Sequence, residues 1–322
     1  MIVSVALCTY NGEKFLKEQL ESFTNQTRLP DELIVCDDLS TDNSVHIVES
    51  FQRSAPFDVR LYINEFRIGS TKNFERAISL SKGNIIFLSD QDDWWHREKI
   101  NTILDCFSPQ GKYGGVFSDA EIVDETLNYQ NRNLWESIGF DKKKRRNFAE
   151  GNSIPVLLRR NVVTGATMAF DADFKDLLLP IPEVWIHDAW ISLLLACTSN
   201  LHMIEQPLIK YRQHGFQQIG IRKPSFSQKV EVTLQNKEDF YFREAEKFKL
   251  VSERLLSFQE KIIDPRSVEL LREKINHLET RAIMRNHDLS RIAIPLKELV
   301  SGRYHKYSLG WHSFFKDLFI GH

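Results

Sequence analysis

The chain has 322 residues, of which 42% are hydrophobic and 27% are charged. This composition supports a folded core and excludes a disordered polymer. Lys and Arg (42) nearly balance Asp and Glu (44), for a net charge of -2, so the chain lacks the basic excess of a nucleic-acid-binding protein and no nucleic-acid partner is expected.

Short apolar runs alternate with helical patterns through the first 90 residues. Residues 2–8 form a β-branched-rich run, and Leu16, Leu20 and Phe23 then recur at helical spacing. Further apolar runs lie at residues 33–36, 59–63 and 85–88. This alternation predicts an α/β fold with a mostly parallel central sheet covered by helices on both faces. Ligands of such sheets bind beyond the carboxyl ends of the strands.

Polar clusters follow three of these predicted strands, at residues 9–13, 37–38 and 90–93. The sequence Asp90-Gln91-Asp92-Asp93 places three carboxylates within four positions, and a divalent cation relieves their repulsion. Such an ion would stabilise a departing diphosphate. The alternative is a solvated acidic turn.

The other two clusters offer hydrogen-bonding groups. Asp37 and Asp38 are suited to a nucleobase or a ribose, although Asp38 is also placed to cap the next helix. Thr9 to Glu13 supplies the aromatic face of Tyr10 together with polar groups, or forms only a turn. Arg67 and Lys72 are candidates to pair with phosphates, or are ordinary exposed cations.

Three segments, in this order along the chain, resemble the family 2 inverting glycosyltransferases, which have the GT-A nucleotide-diphospho-sugar transferase fold. They are Val3–Glu13, Val35–Asp42 and Phe87–Trp95. The Ser-Asp-Gln-Asp-Asp-Trp form of the third segment resembles a bacterial rhamnosyltransferase-like subgroup. The resemblance covers roughly residues 1–220.

This resemblance implies a donor site and a Mn²⁺ or Mg²⁺ site. Asp90 would face the ribose and the diphosphate, and Asp92 would bind the metal, with Asp90 also assigned as a metal ligand. His214 in Tyr211-Arg-Gln-His-Gly would be a further metal ligand, although an isolated histidine is more often structural. The other residues assigned to the nucleotide and donor are Thr9, Tyr10, Asn11, Glu13, Asp37, Asp38, Arg67, Lys72 and Gln91.

Two later segments resemble the acceptor side of the same family. Trp185-Ile-His-Asp-Ala-Trp matches the segment that carries the catalytic base, for which Asp188 is the candidate, because an inverting displacement needs a carboxylate to deprotonate the acceptor hydroxyl. The family often has Glu where this chain has His187. The alternative is a helix N-terminal acid. The acceptor-side assignments are Trp95, Gly165, Ala166, Thr167, Trp185 and His187.

The carboxyl-terminal part has a different character. We expect a GT-A domain over residues 1–225 and a helical segment over 226–322, in which apolar residues recur at spacings of three and four on either side of Pro265. From residue 266 onward, ten Lys or Arg face six Asp or Glu, with aromatic residues among them. This mixture suits a peripheral membrane contact and equally suits a homodimer interface.

The cysteines and the amino terminus indicate the compartment. Four cysteines without C-x-x-C spacing indicate reduced thiols in a cytoplasmic protein. The amino terminus lacks the basic region of a signal peptide, and no apolar run approaches the ~20 residues of a membrane span. We therefore expect a cytoplasmic protein, with at most a peripheral contact on the inner face of the membrane.

The expected function is inverting transfer of rhamnose or another hexose from a UDP- or dTDP-linked donor to a hydroxyl of a glycan or lipid-linked acceptor, in bacterial surface polysaccharide synthesis. Two alternatives stay open. A nucleotidyltransferase of similar fold would need a Gly-rich basic loop near the first strand, which Asn11-Gly12-Glu13 does not provide. A non-catalytic nucleotide-sugar or glycan-binding module would not need both the acidic cluster and the base.

Overall fold

The computed structural model describes residues 1–107, 113–215, 238–283 and 290–319. Two units share the chain: Met1–Gly151 with Val162–Ile221, and Asn152–Asn161 with Arg222–His322. The predicted boundary at residue 225, and the start of the predicted helical segment at 226, lie outside the described residues. The strands, all in the first unit, are β1 (Val3–Thr9), β2 (Glu32–Asp37), β3 (Asp58–Ile63), β4 (Ile85–Ser89), β5 (Trp94–Trp95), β6 (Tyr113–Val123), β7 (Tyr129–Asn133), β8 (Met168–Asp171) and β9 (Asn200–Arg212).

Half of the sheet is parallel, as the alternation of strands and helices predicts. Its strand order is β3-β2-β1-β4, with Thr9 of β1 opposite Asp37 of β2. Strands β1, β2 and β4 are buried along their whole lengths, as expected where helices cover both faces of a parallel sheet. The carboxyl ends of these strands therefore meet at one edge of the sheet.

The other half of the sheet is mixed, which the sequence did not indicate. Strand β4 pairs antiparallel with β8, β8 pairs antiparallel with β6, and β6 pairs parallel with β9. The short strand β5 pairs antiparallel with β9, so that Trp94 lies opposite Lys210. This pairing brings residues 90–93 to the carboxyl end of β9.

Helices with one apolar face pack on the first unit. In α1, Phe15, Leu16, Leu20 and Phe23 are buried, as the spacing of its apolar residues predicts. The helices of this unit are α1 (Glu13–Thr24), α2 (Ser44–Gln52), α3 (Gly69–Leu80), α4 (Lys99–Cys106), α5 (Leu134–Ser137) and α6 (Lys142–Ala149), followed after residue 161 by α8 (Lys175–Leu178) and α9 (His187–Thr198).

The second unit is helical over its described residues. Val251, Leu255, Leu271 and Leu278 are buried between its two longest helices, as their spacing predicts. Within the described ranges, no helix combines the length and apolar character needed to cross a bilayer. Its helices are α7 (Ser153–Arg159), α10 (Glu238–Leu256), α11 (Arg266–Ile283), α12 (Ser290–Val300), α13 (Arg303–Tyr307) and α14 (Trp311–Phe319).

Candidate active site at the carboxyl ends of the strands

The loops that follow β1 and β2 are tied together by buried hydrogen bonds. The Thr9 hydroxyl donates to the Asp37 carboxylate at 2.7 Å, and the backbone N–H and the hydroxyl of Ser40 donate to the same carboxylate at 2.7 and 2.6 Å. Asp37 is completely buried. The Asp37 carboxylate therefore accepts hydrogen bonds from both loops and holds them together.

Gln91 joins the first loop to the acidic loop. Its Oε1 accepts a hydrogen bond from the Tyr10 backbone N–H at 2.8 Å, and its Nε2 donates to the Tyr10 carbonyl at 3.0 Å. A Cβ added to Gly12 would lie 2.3 Å from Gln91 Oε1, so a side chain at this position would displace the Gln91 amide from Tyr10. The structure therefore brings the clusters at 9–13 and 90–93 together.

Three more of the residues assigned to the donor side are engaged within the loops. The Asn11 side-chain oxygen accepts from the Thr41 backbone N–H at 2.8 Å, and the Glu13 carboxylate accepts from the backbone and side chain of Asn43. The Asp38 carboxylate, 3% exposed, accepts from the backbone N–H groups of Ile68 and Gly69. Asp38 thus orders the turn that leads into α3, at a helix N-terminus where an acidic side chain is favourable.

The two predicted phosphate-binding cations lie in different surroundings. The Arg67 guanidinium lies 3.8 Å from the centre of the Tyr10 ring. The Lys72 ammonium donates to Glu75 at 2.8 Å and to the Ile181 carbonyl at 2.7 Å. Both residues line an open cavity of about 820 Å³, and none of its lining residues belongs to the acidic loop. Only Arg67 therefore contacts the loop that follows β1.

The acidic loop shares its surroundings with the candidate base. The pKa of Asp90 is raised to about 7, first by burial and then by the charges of Asp92 and Asp188, while Lys99 opposes this shift. The pKa of Tyr211 is also raised, first by burial and then by the charges of four carboxylates, those of Asp93, Asp90, Asp92 and Asp188. The acidic loop and Asp188, nearly 100 positions apart in the sequence, thus act on the same groups.

Asp92 and His214 form the part of the cluster best suited to a metal ion. Oδ2 of Asp92 lies 2.7 Å from Nε2 of His214, and the two side chains are 16% and 5% exposed. In the part of the chain that the structure describes, no group of three or more His, Cys, Asp or Glu side chains is arranged to hold a metal ion. Mg²⁺ sites in enzymes commonly use one or two carboxylates and complete the shell with substrate phosphates and water. Asp90 and Asp92 beside the imidazole of His214 fit such a site, because a cation relieves the repulsion between the two carboxylates.

Arg212 holds the acidic loop against the end of β9, which the sequence analysis did not foresee. Its backbone N–H donates to Asp93 at 3.1 Å, and its Nε donates to the Asp92 carbonyl at 2.8 Å. The same guanidinium donates to the Glu18 carboxylate at 2.5 Å and lies 4.5 Å from the centre of the Phe15 ring. An arginine in the same motif as His214 was the available signal.

A second unforeseen residue is Lys99, which lies at the base of the cluster. Its side chain is fully buried, its ammonium donates to the Ala166 carbonyl at 2.7 Å, and it lies 3.5 Å from the centre of the Trp95 ring. Burial lowers its pKa, and the charges of Asp93 and Asp90 oppose that effect. Lys99 therefore partly offsets the negative charge of the loop, yet in the sequence it is one lysine beside an apolar helical pattern.

Asp188 lies in the first turn of α9 and contacts the segment that precedes β8. Its Oδ2 accepts a hydrogen bond from the Gly165 backbone N–H at 3.1 Å. His187 is 6% exposed, stacks on Phe74 at 3.9 Å between ring centres, and burial lowers its pKa to about 3. A Cβ at position 165 would lie 2.6 Å from His187 Nε2. The neutral imidazole thus packs behind the glycine that positions Asp188.

The assignment of Trp95 to the acceptor side requires correction, because its ring is not accessible to a sugar. Trp95 is 1% exposed and packs against Phe23 and Phe87, with ring centres 4.7 and 5.8 Å apart. Its large apolar ring is used in the core. Ala166 and Thr167 are also fully buried, and Trp185 is 7% exposed. The side chains of these four assigned residues are therefore packed inside the protein rather than exposed to an acceptor.

Comparisons with known sequences show which family the chain resembles. Residues 4–163 match the family model described as glycosyl transferase family 2. The chain is 28% identical over 230 residues to the dTDP-rhamnosyl transferase RfbG of Shigella flexneri, a match that covers 66% of this chain and 73% of that protein. It is 32% identical over 99 residues to the UDP-Glc:alpha-D-GlcNAc-diphosphoundecaprenol beta-1,3-glucosyltransferase WfgD of Escherichia coli, which covers 31% of this chain and 38% of that protein.

Solved structures give the fold. The structure of Staphylococcus aureus TarS 1-349 in complex with UDP-GlcNAc is similar with a TM-score of 0.57 at 16% identity, covering 99% of this chain and 82% of that chain. The mannosyltransferase PcManGT of Pyrobaculum calidifontis, in complex with GDP-Man and Mn²⁺, is similar with a TM-score of 0.51 at 17% identity, covering 94% and 74%. The chain has the GT-A fold and belongs to glycosyl transferase family 2.

Proposed function

We propose that this protein transfers a hexosyl group, with rhamnose the first candidate, from a dTDP- or UDP-linked donor to a hydroxyl of a glycan or lipid-linked acceptor, inverting the anomeric centre. The observation that carries the proposal is the cluster at the carboxyl end of β4, where Oδ2 of Asp92 lies 2.7 Å from Nε2 of His214, together with the charge of Asp188, which acts on Asp90 in the same loop. A diphosphate bound at that loop would present the anomeric carbon near Asp188. The relatives RfbG and WfgD support the donor class by their names.

The nucleoside would enter between the loops that follow β1 and β2. The Tyr10 ring and the Arg67 guanidinium, 3.8 Å apart, supply a flat surface and a positive charge for a base or a phosphate. Thr9, Asn11, Glu13, Asp37 and Asp38 keep this surface in place through the hydrogen bonds described above. Lys72 contributes to the wall of the neighbouring cavity.

Asp92 and His214 would hold Mn²⁺ or Mg²⁺, with Asp90 beside them. The bound ion would neutralise charge on the departing diphosphate, and PcManGT supports this choice because its structure contains Mn²⁺. Lys99 would limit the repulsion among the acids from the buried side. Arg212 would keep the loop in position against the end of β9.

Asp188 would take the proton. The acceptor oxygen forms a bond to the anomeric carbon, the bond from that carbon to the diphosphate oxygen breaks, and the acceptor proton passes to the Asp188 carboxylate. The Gly165 N–H orients this carboxylate through its 3.1 Å hydrogen bond. Attack opposite the leaving group gives the opposite anomeric configuration.

Thermal unfolding in the presence of nucleotides tests the donor site. A ligand that binds only the folded protein raises the melting temperature. We expect dTDP or UDP, and the matching nucleotide sugars, to raise it when Mn²⁺ is present and much less in EDTA. If no nucleotide raises the melting temperature with any divalent metal, the donor-site assignment is wrong and the alternative of a non-catalytic glycan-binding module returns.

A further inference from the structure

Helix α12 exposes an apolar face. Ile292, Leu296 and Val300, at positions i, i+4 and i+8, are 63%, 45% and 87% exposed. The opposite face of the same helix buries the carboxylate of Glu298, which is 2% exposed. This arrangement reverses the usual one, in which a helix buries its apolar stripe.

Helix α14 adds aromatic side chains beside it. The two helices pack against each other. Trp311 and Phe315 are 55% and 47% exposed, and their rings stack with centres 5.9 Å apart. Trp and Phe on an amphipathic helix are the side chains that enter the interfacial region of a bilayer.

Buried ion pairs fix which faces these helices expose. Glu298 accepts from His277 at 2.6 Å and from Arg303 at 3.0 Å. Asp317 of α14 pairs with Arg281 at 2.6 Å, and both side chains are 7% exposed or less. Rotating either helix to bury its apolar face would leave these buried charges without partners, which is strongly destabilising. The apolar face is therefore a built feature of the unit.

The charge of the same segment selects the partner. Residues 290–319 contain five Lys or Arg and two Asp or Glu, and those two acids are Glu298 and Asp317, both enclosed in the ion pairs above. Of the cations, Arg303 pairs with Glu298 and Lys306 with Glu273. Lys297 is exposed on α12, at the border of the apolar face. A positively charged apolar surface complements anionic lipid headgroups. Pairing the same face with itself in a symmetric dimer would instead oppose like charges.

We propose that Ile292, Leu296, Val300, Trp311 and Phe315 form a docking face for the surface of a bilayer that contains anionic phospholipid. This inference extends the proposed function, since a lipid-linked acceptor would be presented at such a surface. The binding itself needs neither donor nor metal. Its failure would leave the transferase assignment standing, and failure of the transferase assignment would leave the docking face standing.

Vesicle co-sedimentation of the full chain tests the proposal. The probe is phosphatidylcholine vesicles with or without phosphatidylglycerol, and the variants are Ile292→Ser/Leu296→Ser/Val300→Ser and the single change Val300→Glu. The matched control is Leu256→Ser/Ile263→Ser, whose side chains are 55% and 56% exposed in the same unit outside α12 and α14. We expect the triple variant to lower the partition coefficient on anionic vesicles by about tenfold or more, Val300→Glu to lower it in the same direction, and the control to leave it unchanged. Because Val300 is 87% exposed, its substitution separates loss of docking from loss of folding.

Three results would overturn the proposal. The first is that the unaltered protein fails to bind phosphatidylglycerol vesicles at low salt. The second is that the triple variant and the control bind equally well. The third is a dimer in sedimentation velocity that the triple variant dissociates without any effect on vesicles, which would assign the face to a second copy of the chain.

Discussion

Nε2 of His214 lies 2.7 Å from Oδ2 of Asp92, across 122 positions of the sequence. The contact depends on the pairing of β5 with β9, which fixes Trp94, directly after the acidic loop, opposite Lys210, just before the end of β9. It depends also on Arg212, whose guanidinium Nε bonds the Asp92 carbonyl at 2.8 Å. The sheet therefore positions a carboxylate and an imidazole together before any ligand arrives.

Replacing His214 tests the metal assignment. We expect His214→Ala to raise the Mn²⁺ concentration needed for half-maximal transfer by about 10- to 100-fold, because loss of a direct ligand should cost at least as much as loss of a residue that orients one. A titration of transfer rate against Mn²⁺ measures this change. His46→Ala is the control, because His46 is an exposed histidine, 72% accessible, on α2. An unchanged Mn²⁺ dependence in His214→Ala would exclude the histidine as a ligand.

The Tyr10–Arg67 pair should contribute to nucleotide affinity. We expect Arg67→Ala to weaken binding of dTDP or UDP by about 2- to 30-fold, the range that corresponds to the loss of ~0.5–2 kcal/mol of interaction between the guanidinium and the bound base or phosphate. Isothermal titration calorimetry in the presence of Mn²⁺ measures the dissociation constant of the nucleotide. Arg53→Ala, at an exposed arginine that follows α2, should leave it unchanged. Equal affinity of Arg67→Ala and the unaltered protein would remove Arg67 from the donor site.

The close approach of Gly165 to His187 should make position 165 sensitive to substitution. Because an added Cβ would lie 2.6 Å from His187 Nε2, we expect Gly165→Ala to lower the free energy of unfolding by about 1–3 kcal/mol and to slow transfer by displacing the N–H that holds Asp188. Urea unfolding and kcat are the two measurements. In the double variant with His187→Ala the clash is gone, so the effects should be less than additive. Strict additivity would show that the two positions are not coupled.

His187 should also make stability depend on pH. Burial lowers its folded-state pKa to about 3, whereas the unfolded chain has the ordinary value near 6.5. Between these values the unfolded chain binds one more proton, so the contribution is fully present above about pH 6.5 and is lost as the pH falls toward 3. We expect His187→Gln to reduce the slope of unfolding free energy against pH by up to about 1.4 kcal/mol per unit in this window. In His46→Gln the slope should be retained, and a steep slope in His187→Gln would contradict the assignment.

The parallel half of the sheet and the three polar clusters could be predicted because each depends on local pattern. Buried runs mark β1, β2 and β4, and polar residues at their ends meet at one edge whatever the rest of the chain does. The pairing of β5 with β9 could not be predicted, because nothing in Trp94-Trp95 indicates a partner about 115 positions away. The core position of Trp95 follows from that pairing. Lys99 escaped notice for a related reason, since a lysine in a helix is usually exposed and only the assembled site supplies its buried acids.

The docking face illustrates a different limit of the sequence. The mixture of aromatic and basic residues near the carboxyl terminus was evident, but it fitted a membrane contact and a dimer equally. The proposed choice of a membrane rests on Glu298 and Asp317, because the burial of these two acids fixes the outward sides of α12 and α14 and leaves positive charge beside the apolar face. Such buried pairs between helices are set by tertiary packing, which periodicity alone does not reveal.

The effect of Asp188→Asn on transfer and on nucleotide binding, measured on the same preparation, tests whether Asp188 is the catalytic base. Asparagine keeps the size of the side chain and an oxygen for the Gly165 N–H, but it cannot accept the acceptor proton. We predict that transfer from dTDP-rhamnose or the donor identified by thermal unfolding falls by at least about 10²-fold, while the dissociation constant of the nucleotide with Mn²⁺ changes by no more than about threefold, since the base acts in the transition state. Transfer retained at the rate of the unaltered protein would contradict the account.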